Sequence, residues 1–115
     1  NSIYIINPDN KEDITELKPD KMPIGIHSIT DRNFTDHEVS LNKSTMIYLF
    51  TDGYADQFGG ESGKKFMYKP FKKLLGSIAD QPLSDQHKVL EYTIEKWMKN
   101  TDQIDDILIM GIRLI

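Results

Sequence analysis

Cysteine is absent from this 115-residue chain, which excludes disulfide staples and thiolate metal sites and is compatible with a reducing compartment. No stretch approaches the roughly 20 apolar residues that a bilayer-spanning helix needs, and no signal-peptide pattern is present, so direct membrane insertion by this segment is not expected. A basic surplus is missing as well. Lys+Arg total 14 against 18 Asp+Glu, a formal net charge of -4, which argues against nucleic acid as the main partner. Gly59, Gly60 and Gly63 form no phosphate-binding P-loop, because the helix-starting Gly-Lys-Ser/Thr is lacking. The three histidines, His27, His37 and His87, fall in different segments without ligand spacing, and no Ser-His-Asp constellation can be placed. What is present is a globular composition: 38% hydrophobic and 28% charged residues, enough for one domain with a lean core. The chain opens on Asn1 rather than Met, as expected of an excised or processed piece.

Hydrophobic periodicity orders the elements. Ser2-Ile3-Tyr4-Ile5-Ile6 is β-branched and aromatic, and Asp13–Leu17 alternates polar with apolar. With the Asn7-Pro8-Asp9-Asn10 turn cluster between them they predict a hairpin. Lys18–Lys21 is a loop, followed by Met22-Pro23-Ile24-Gly25-Ile26, where Pro and Gly flank one apolar residue. Thr35–Leu41 alternates again and predicts a strand, and Asn42-Lys43-Ser44 turns into the apolar strand Thr45–Phe50. Consecutive strands with short loops favour an antiparallel meander. Asp52–Gln57 predicts a short helical turn, and Gly59–Lys65 an exposed flexible loop. Phe71, Leu74, Leu75 and Ile78 then recur at helical spacing, despite Gly76. Ser84 is a candidate cap for a second helix with the stripe Val89, Leu90, Ile94, Trp97 and Met98, read most simply as core. A last strand is expected from about Ile107 to Leu114. Strands first and helices later predict an α+β domain with helices on one face of an antiparallel sheet.

The chemistry-bearing residues sit where apolar runs begin and end. Thr51-Asp52-Gly53 follows Met46–Phe50, and Asp105-Asp106 precedes Ile107–Met110. If those strands pair antiparallel, both acids reach one sheet edge. Hard cations such as Mg2+ and Mn2+ prefer carboxylate, carbonyl and water oxygens, and two or three carboxylates on a rigid edge can hold them. Gly53 would let the chain turn without a Cβ obstructing the site. Asp105 is the expected ligand, with Asp106 on the opposite face of the strand. Asp-Gly is also a common turn pair, and paired aspartates also begin solvated strands, so spacing alone leaves both readings open.

Pro23-Ile24-Gly25, Tyr48–Asp56 and Gln103–Leu108 resemble, in order and spacing, the C-terminal half of the bacterial SpoIIE-type serine/threonine phosphatases of the PP2C-like (PPM) superfamily. The resemblance covers essentially all of residues 1–115. It implies half of an α-β-β-α sandwich, here an antiparallel sheet with two helices packed on one face. It implies hydrolysis of phosphoserine or phosphothreonine, with two Mg2+ or Mn2+ ions activating a bridging water. The family's Asp of the Thr-Asp-Gly motif falls on Asp52 and its late metal-binding Asp on Asp105, with Gly53 an additional candidate at the metal. Asp106 and Asp56 are expected just outside the ligands; Asp56 stands where many relatives carry Glu. Lys64 and Lys65, with Lys69, Lys72 and Lys73, make a basic patch that either steers an anionic substrate or is a solvated face. The family's first metal motif, an Asp followed by Gly-His-Gly, is not in this sequence. In relatives it precedes the strand matching Ser2–Ile6, so the resemblance implies a fragment inactive by itself. Expected partners are a phosphoprotein, of anti-anti-sigma-like kind, in bacterial signal transduction on the cytoplasmic side, even where the parent is membrane-anchored. Self-association through exposed sheet is expected too. The alternative is a non-catalytic phosphatase-like interaction module, distinguished by whether Asp-x-x-Gly-His-Gly precedes Asn1.

Overall fold

The computed structural model describes residues 1–21 and 33–115; the Met22–Ile26 segment, with its Pro23-Ile24-Gly25, and His27 lie outside the described residues. β1 (Ile3–Asn7) and β2 (Asn10–Leu17) form the expected hairpin, Ile3 opposite Leu17 and Ile6 opposite Ile14, with a register shift after Ile6. At its turn the Asn7 side-chain oxygen accepts the Asp9 N–H at 3.0 Å. β3 (Met46–Phe50) pairs antiparallel with β1, Tyr4 opposite Tyr48. The sheet order is β2-β1-β3-β6, where β6 is Ile109–Arg113. This is not the expected meander, because β3 returns beside β1 rather than β2. Hydrophobicity decides the order. β1 has three consecutive buried residues and takes an inner place, whereas β2 carries Lys11, Glu12 and Asp13, which blunt an exposed edge.

After β3 come α1 (Gly53–Asp56), a two-stranded ribbon of β4 (Phe58–Gly59) and β5 (Lys64–Lys65), α2 (Tyr68–Ile78) and α3 (Leu83–Met98). The helices lie on one sheet face, as expected. Tyr4, Ile6, Met46, Tyr48 and Phe50 point inward to meet Phe71, Leu75, Ile78, Ala79 and Ile94 in one cluster. Tyr48 is 1% exposed while its neighbour Leu49 is 38% exposed, the period-2 signature of a sheet covered on one side. Phe71 stands at the centre, with Phe50 edge-on at 5.1 Å and Tyr54 tilted at 4.9 Å. Truncating such a ring to Ala typically costs about 3–5 kcal/mol. Gly76 has a packing reason: a Cβ there would lie 2.9 Å from the Lys11 carbonyl oxygen. No helix among the described residues is long and apolar enough to cross a membrane.

Three further expectations are corrected. Residues 33–42 form no strand; Val39 and Leu41 instead line a small recess with Ile5 and Thr15. Two apolar side chains lack the area to add a strand, and Thr35 is engaged locally, its N–H and hydroxyl both donating to the Asp20 carboxylate. The Gly59–Lys65 segment is a ladder, Phe58 opposite Lys65, rather than a free loop. It docks on α3, because the Trp97 indole N–H donates to the Gln57 carbonyl (2.9 Å) and the Gly60 N–H to the Trp97 carbonyl (2.9 Å). Ser84 does not cap α3. Pro82 holds the cap position without a side-chain bond, and its carbonyl accepts the N–H groups of Asp85 and Gln86 at 3.0 Å each. Its fixed φ starts the helix ahead of the serine.

Candidate metal centre

β3 and β6 run antiparallel with Phe50 opposite Ile109, so the residues after β3 and before β6 emerge at one sheet edge. Thr51 locks that edge. Its N–H donates to the Leu108 carbonyl (3.0 Å), its hydroxyl donates to the Asp106 carbonyl (2.8 Å), and the hydroxyl accepts the Leu108 N–H (3.0 Å). The side chain thus imitates a peptide group and continues the ladder past the end of β3. Gly53 then passes against the Asp106 backbone. A Cβ there would lie 2.2 Å from the Asp106 carbonyl oxygen. Sharp turning was the sequence-based reason for this glycine; direct backbone contact is the reason in the fold.

Asp52 sits between Thr51 and Gly53. It occupies the N-cap of α1 but makes no side-chain capping bond, although aspartate there ordinarily accepts a first-turn N–H. Its Oδ1 instead accepts the Tyr68 hydroxyl at 2.7 Å. Burial, then the hydrogen bond to Asp52 and its charge, push the Tyr68 phenol above the ordinary tyrosine value, so it remains a donor at neutral pH. Asp105 lies on the same edge with local tethers. Its Oδ1 accepts the Asp106 N–H (2.7 Å) and its carbonyl accepts Gln103 Nε2 (2.9 Å). Asp106 takes part through its main chain. Asp56 pairs with Lys65 at 3.5 Å, on the β4–β5 ribbon side. Lys65 also lies over the Phe58 ring at 5.9 Å, while Lys64 is exposed opposite Gly59.

A cavity of about 560 Å³ opens at the same end of the sheet, walled by Tyr4, Glu16, Phe50, Tyr68, Lys69 and Lys72. Lys72 bonds Glu16 at 3.1 Å and lies over the Tyr4 ring at 5.3 Å. The Lys72 hydrogen bond, with help from Ser2, holds the Glu16 carboxyl below its usual value. His37 is exposed, and His87 faces Glu91 at 3.4 Å on α3.

The donors at the edge suit a hard cation in kind, being carboxylates flanked by main-chain carbonyls. In number they fall short. No group of three or more His, Cys, Asp or Glu among the described residues could hold a metal ion. Asp52 and Asp105 therefore fit as part of a ligand set that needs further oxygen donors. Sequence reasoning missed Tyr68, which stands 16 residues from Asp52 with no local pattern to link them. It also missed the double bonding of Thr51, although a hydroxyl residue directly before Asp-Gly was a visible signal.

The chain matches the family model described as Stage II sporulation protein E (SpoIIE) over residues 1–115. It is similar to the solved SiaA-PP2C domain of Pseudomonas aeruginosa, at 33% identity and a TM-score of 0.86, over 99% of this chain and 43% of that one. The chain thus spans less than half the length of that structure. No curated protein matches.

Proposed function

Because the chain belongs to the SpoIIE family and is a PP2C-like, phosphatase-related domain, we propose that it supplies part of a metal-dependent serine/threonine phosphatase site acting in bacterial signal transduction. The observation that carries this reading is the shared edge. Asp52 and Asp105 leave neighbouring antiparallel strands there, and Thr51 and Gly53 fix the two backbones against each other. On this reading Asp52 and Asp105 would hold Mg2+ or Mn2+, with Gly53 beside them, and two ions would occupy the intact site. Such ions, when bound, make water a nucleophile at neutral pH and neutralise charge on the transferring phosphoryl group.

The two aspartates act as ligands and move no proton. Lys69 and Lys72, in the wall of the adjacent cavity, would draw an anionic phosphoprotein toward the edge; Lys64 and Lys65 would extend that attraction along the ribbon. The proposed substrate is a small anti-anti-sigma-like phosphoprotein on the cytoplasmic side. The exposed apolar residues Leu49, Met110 and Ile112 on the outer sheet face support self-association of the isolated 115 residues, which light scattering would register.

The test is a Mn2+ titration by calorimetry with a p-nitrophenyl phosphate assay, on the full-length protein and on these residues alone. Turnover is expected from the first and not the second; robust turnover by residues 1–115 alone would overturn the partial-site reading. The shortage of a third ligand among the described residues favours one other reading, a phosphatase-like interaction module without turnover. A full-length protein that binds its partner but neither Mn2+ nor substrate would establish that reading instead.

A further inference from the structure

We propose that Tyr68 is the positioning residue of Asp52, orienting its carboxylate for a cation at the sheet edge, and that the unusual backbone entering α2 holds Tyr68 in place for this task. The inference rests on the phosphatase-site reading above.

Three observations carry it. Asp52 forgoes the capping bond its position offers, so α1 does not orient the side chain. The bond that does orient it comes from Tyr68, at 2.7 Å to Oδ1. The residue before Tyr68 is strained. Met67 adopts φ 81 and ψ 155, a region left almost entirely to glycine. Its side chain is 56% exposed, so packing of that side chain does not explain the strain.

The strained residue is instead bolted to the site. The Met67 N–H donates to the Ala55 carbonyl at 2.8 Å, and the preceding Phe66 N–H donates to the Gln57 carbonyl at 2.9 Å. The start of α2 is thereby fixed to the segment that directly follows Asp52. The Tyr68 ring also packs against Phe50, the last residue of β3, at 6.3 Å between centroids. The hydroxyl therefore arrives at Asp52 with its ring and backbone already set. Partners of this kind fix ligand geometry before the metal arrives.

The experiment compares full-length wild type, Tyr68→Phe and Asp52→Asn. Tyr68→Phe removes only the hydroxyl. Mn2+ affinity by calorimetry is expected to weaken by about 10-fold, the lower end for lost outer hydrogen bonds at metal sites. The Mn2+ concentration for half-maximal p-nitrophenyl phosphate turnover should rise in step. The metal-free thermal melt should stay close to wild type. A Mn2+ affinity for Tyr68→Phe within about twofold of wild type, well below that range, would overturn the inference. A collapsed metal-free melt, or a lowered saturated rate with an unmoved Mn2+ midpoint, would do the same by showing a structural prop. Asp52→Asn separates the two levels. If it retains wild-type Mn2+ affinity, the phosphatase-site reading itself fails. If it loses Mn2+ while Tyr68→Phe does not, only the positioning role fails.

Discussion

The two acidic segments that meet at the sheet edge are built differently. The Thr51–Asp56 segment is held from outside itself. Thr51 is bonded to Asp106 and Leu108, Gly53 lies against the Asp106 backbone, and the Asp52 carboxylate is bonded by a residue on another helix. The Gln103–Asp106 segment shares the Thr51 and Gly53 contacts through the Asp106 main chain, but the groups of Asp105 are tethered only locally, its carboxylate to the Asp106 N–H and its carbonyl to Gln103. One aspartate is preset by tertiary structure, and the other has only short local tethers. On the proposed reading, the rigid member would define the site and the second would adjust when an ion arrives.

The hardest blow to this comparison would come from the aspartates themselves. In the full-length protein, Asp52→Asn and Asp105→Asn are each expected to cut phosphatase turnover by more than about 100-fold, beyond the usual loss from an outer-shell residue. Retention of most activity by either variant would remove that residue from the ligand set. Gly53→Ala comes next. Its Cβ would meet the Asp106 carbonyl at 2.2 Å. Overpacking of this kind costs about 1–3 kcal/mol, a fall in Tm of roughly 5–15 °C for a domain near this size. Calorimetry on the metal-free protein would measure it, and an unchanged Tm would mean the two segments do not press together as described.

A control away from the edge sharpens the contrast. Tyr48→Phe deletes the buried 2.6 Å bond to Gln86 Oε1, on the helix-covered face. It should cost about 1–2 kcal/mol of stability and leave Mn2+ affinity unchanged; a changed affinity would mean that core and edge are coupled. The smallest effect is a pH dependence. The folded Glu16 carboxyl lies below its ordinary value of 4.5 because of Lys72. Its stabilising contribution is therefore fully present above pH 4.5 and is lost as pH falls through the lower folded value. Lys72→Met should weaken this acid-range slope, an effect below about 1 kcal/mol for so exposed a pair. Urea unfolding between pH 3 and 6 would detect it; an identical slope in the variant would assign the depression to other neighbours.

Much of the fold is legible because the signals are local. The hairpin of β1 and β2 follows from two strand patterns and an Asn-Pro-Asp-Asn turn, and α2 and α3 follow from apolar stripes at helical spacing. The failures have physical causes as well. Thr35–Leu41 alternates like a strand but brings too little apolar area to join the sheet. Gly59–Lys65 reads as a loop because a ladder of two residues per strand leaves no periodic trace, and its order comes from docking on Trp97. Ser84 offers a cap signal that Pro82 pre-empts. At the candidate site, Asp52, Gly53 and Asp105 are visible from their places at the ends of apolar runs.

The amino-acid sequence by itself determined which segments extend, which coil, and that acidic residues stand at the end of one apolar strand and the start of another. Those outcomes depend on side-chain period and backbone preference within a few residues. Tertiary structure alone decided that β3 lies beside β1 and β6, that Gly53 touches Asp106, and that Tyr68 reaches Asp52. Such contacts join positions far apart along the chain, and they exist only once burial of the shared core has brought the elements together.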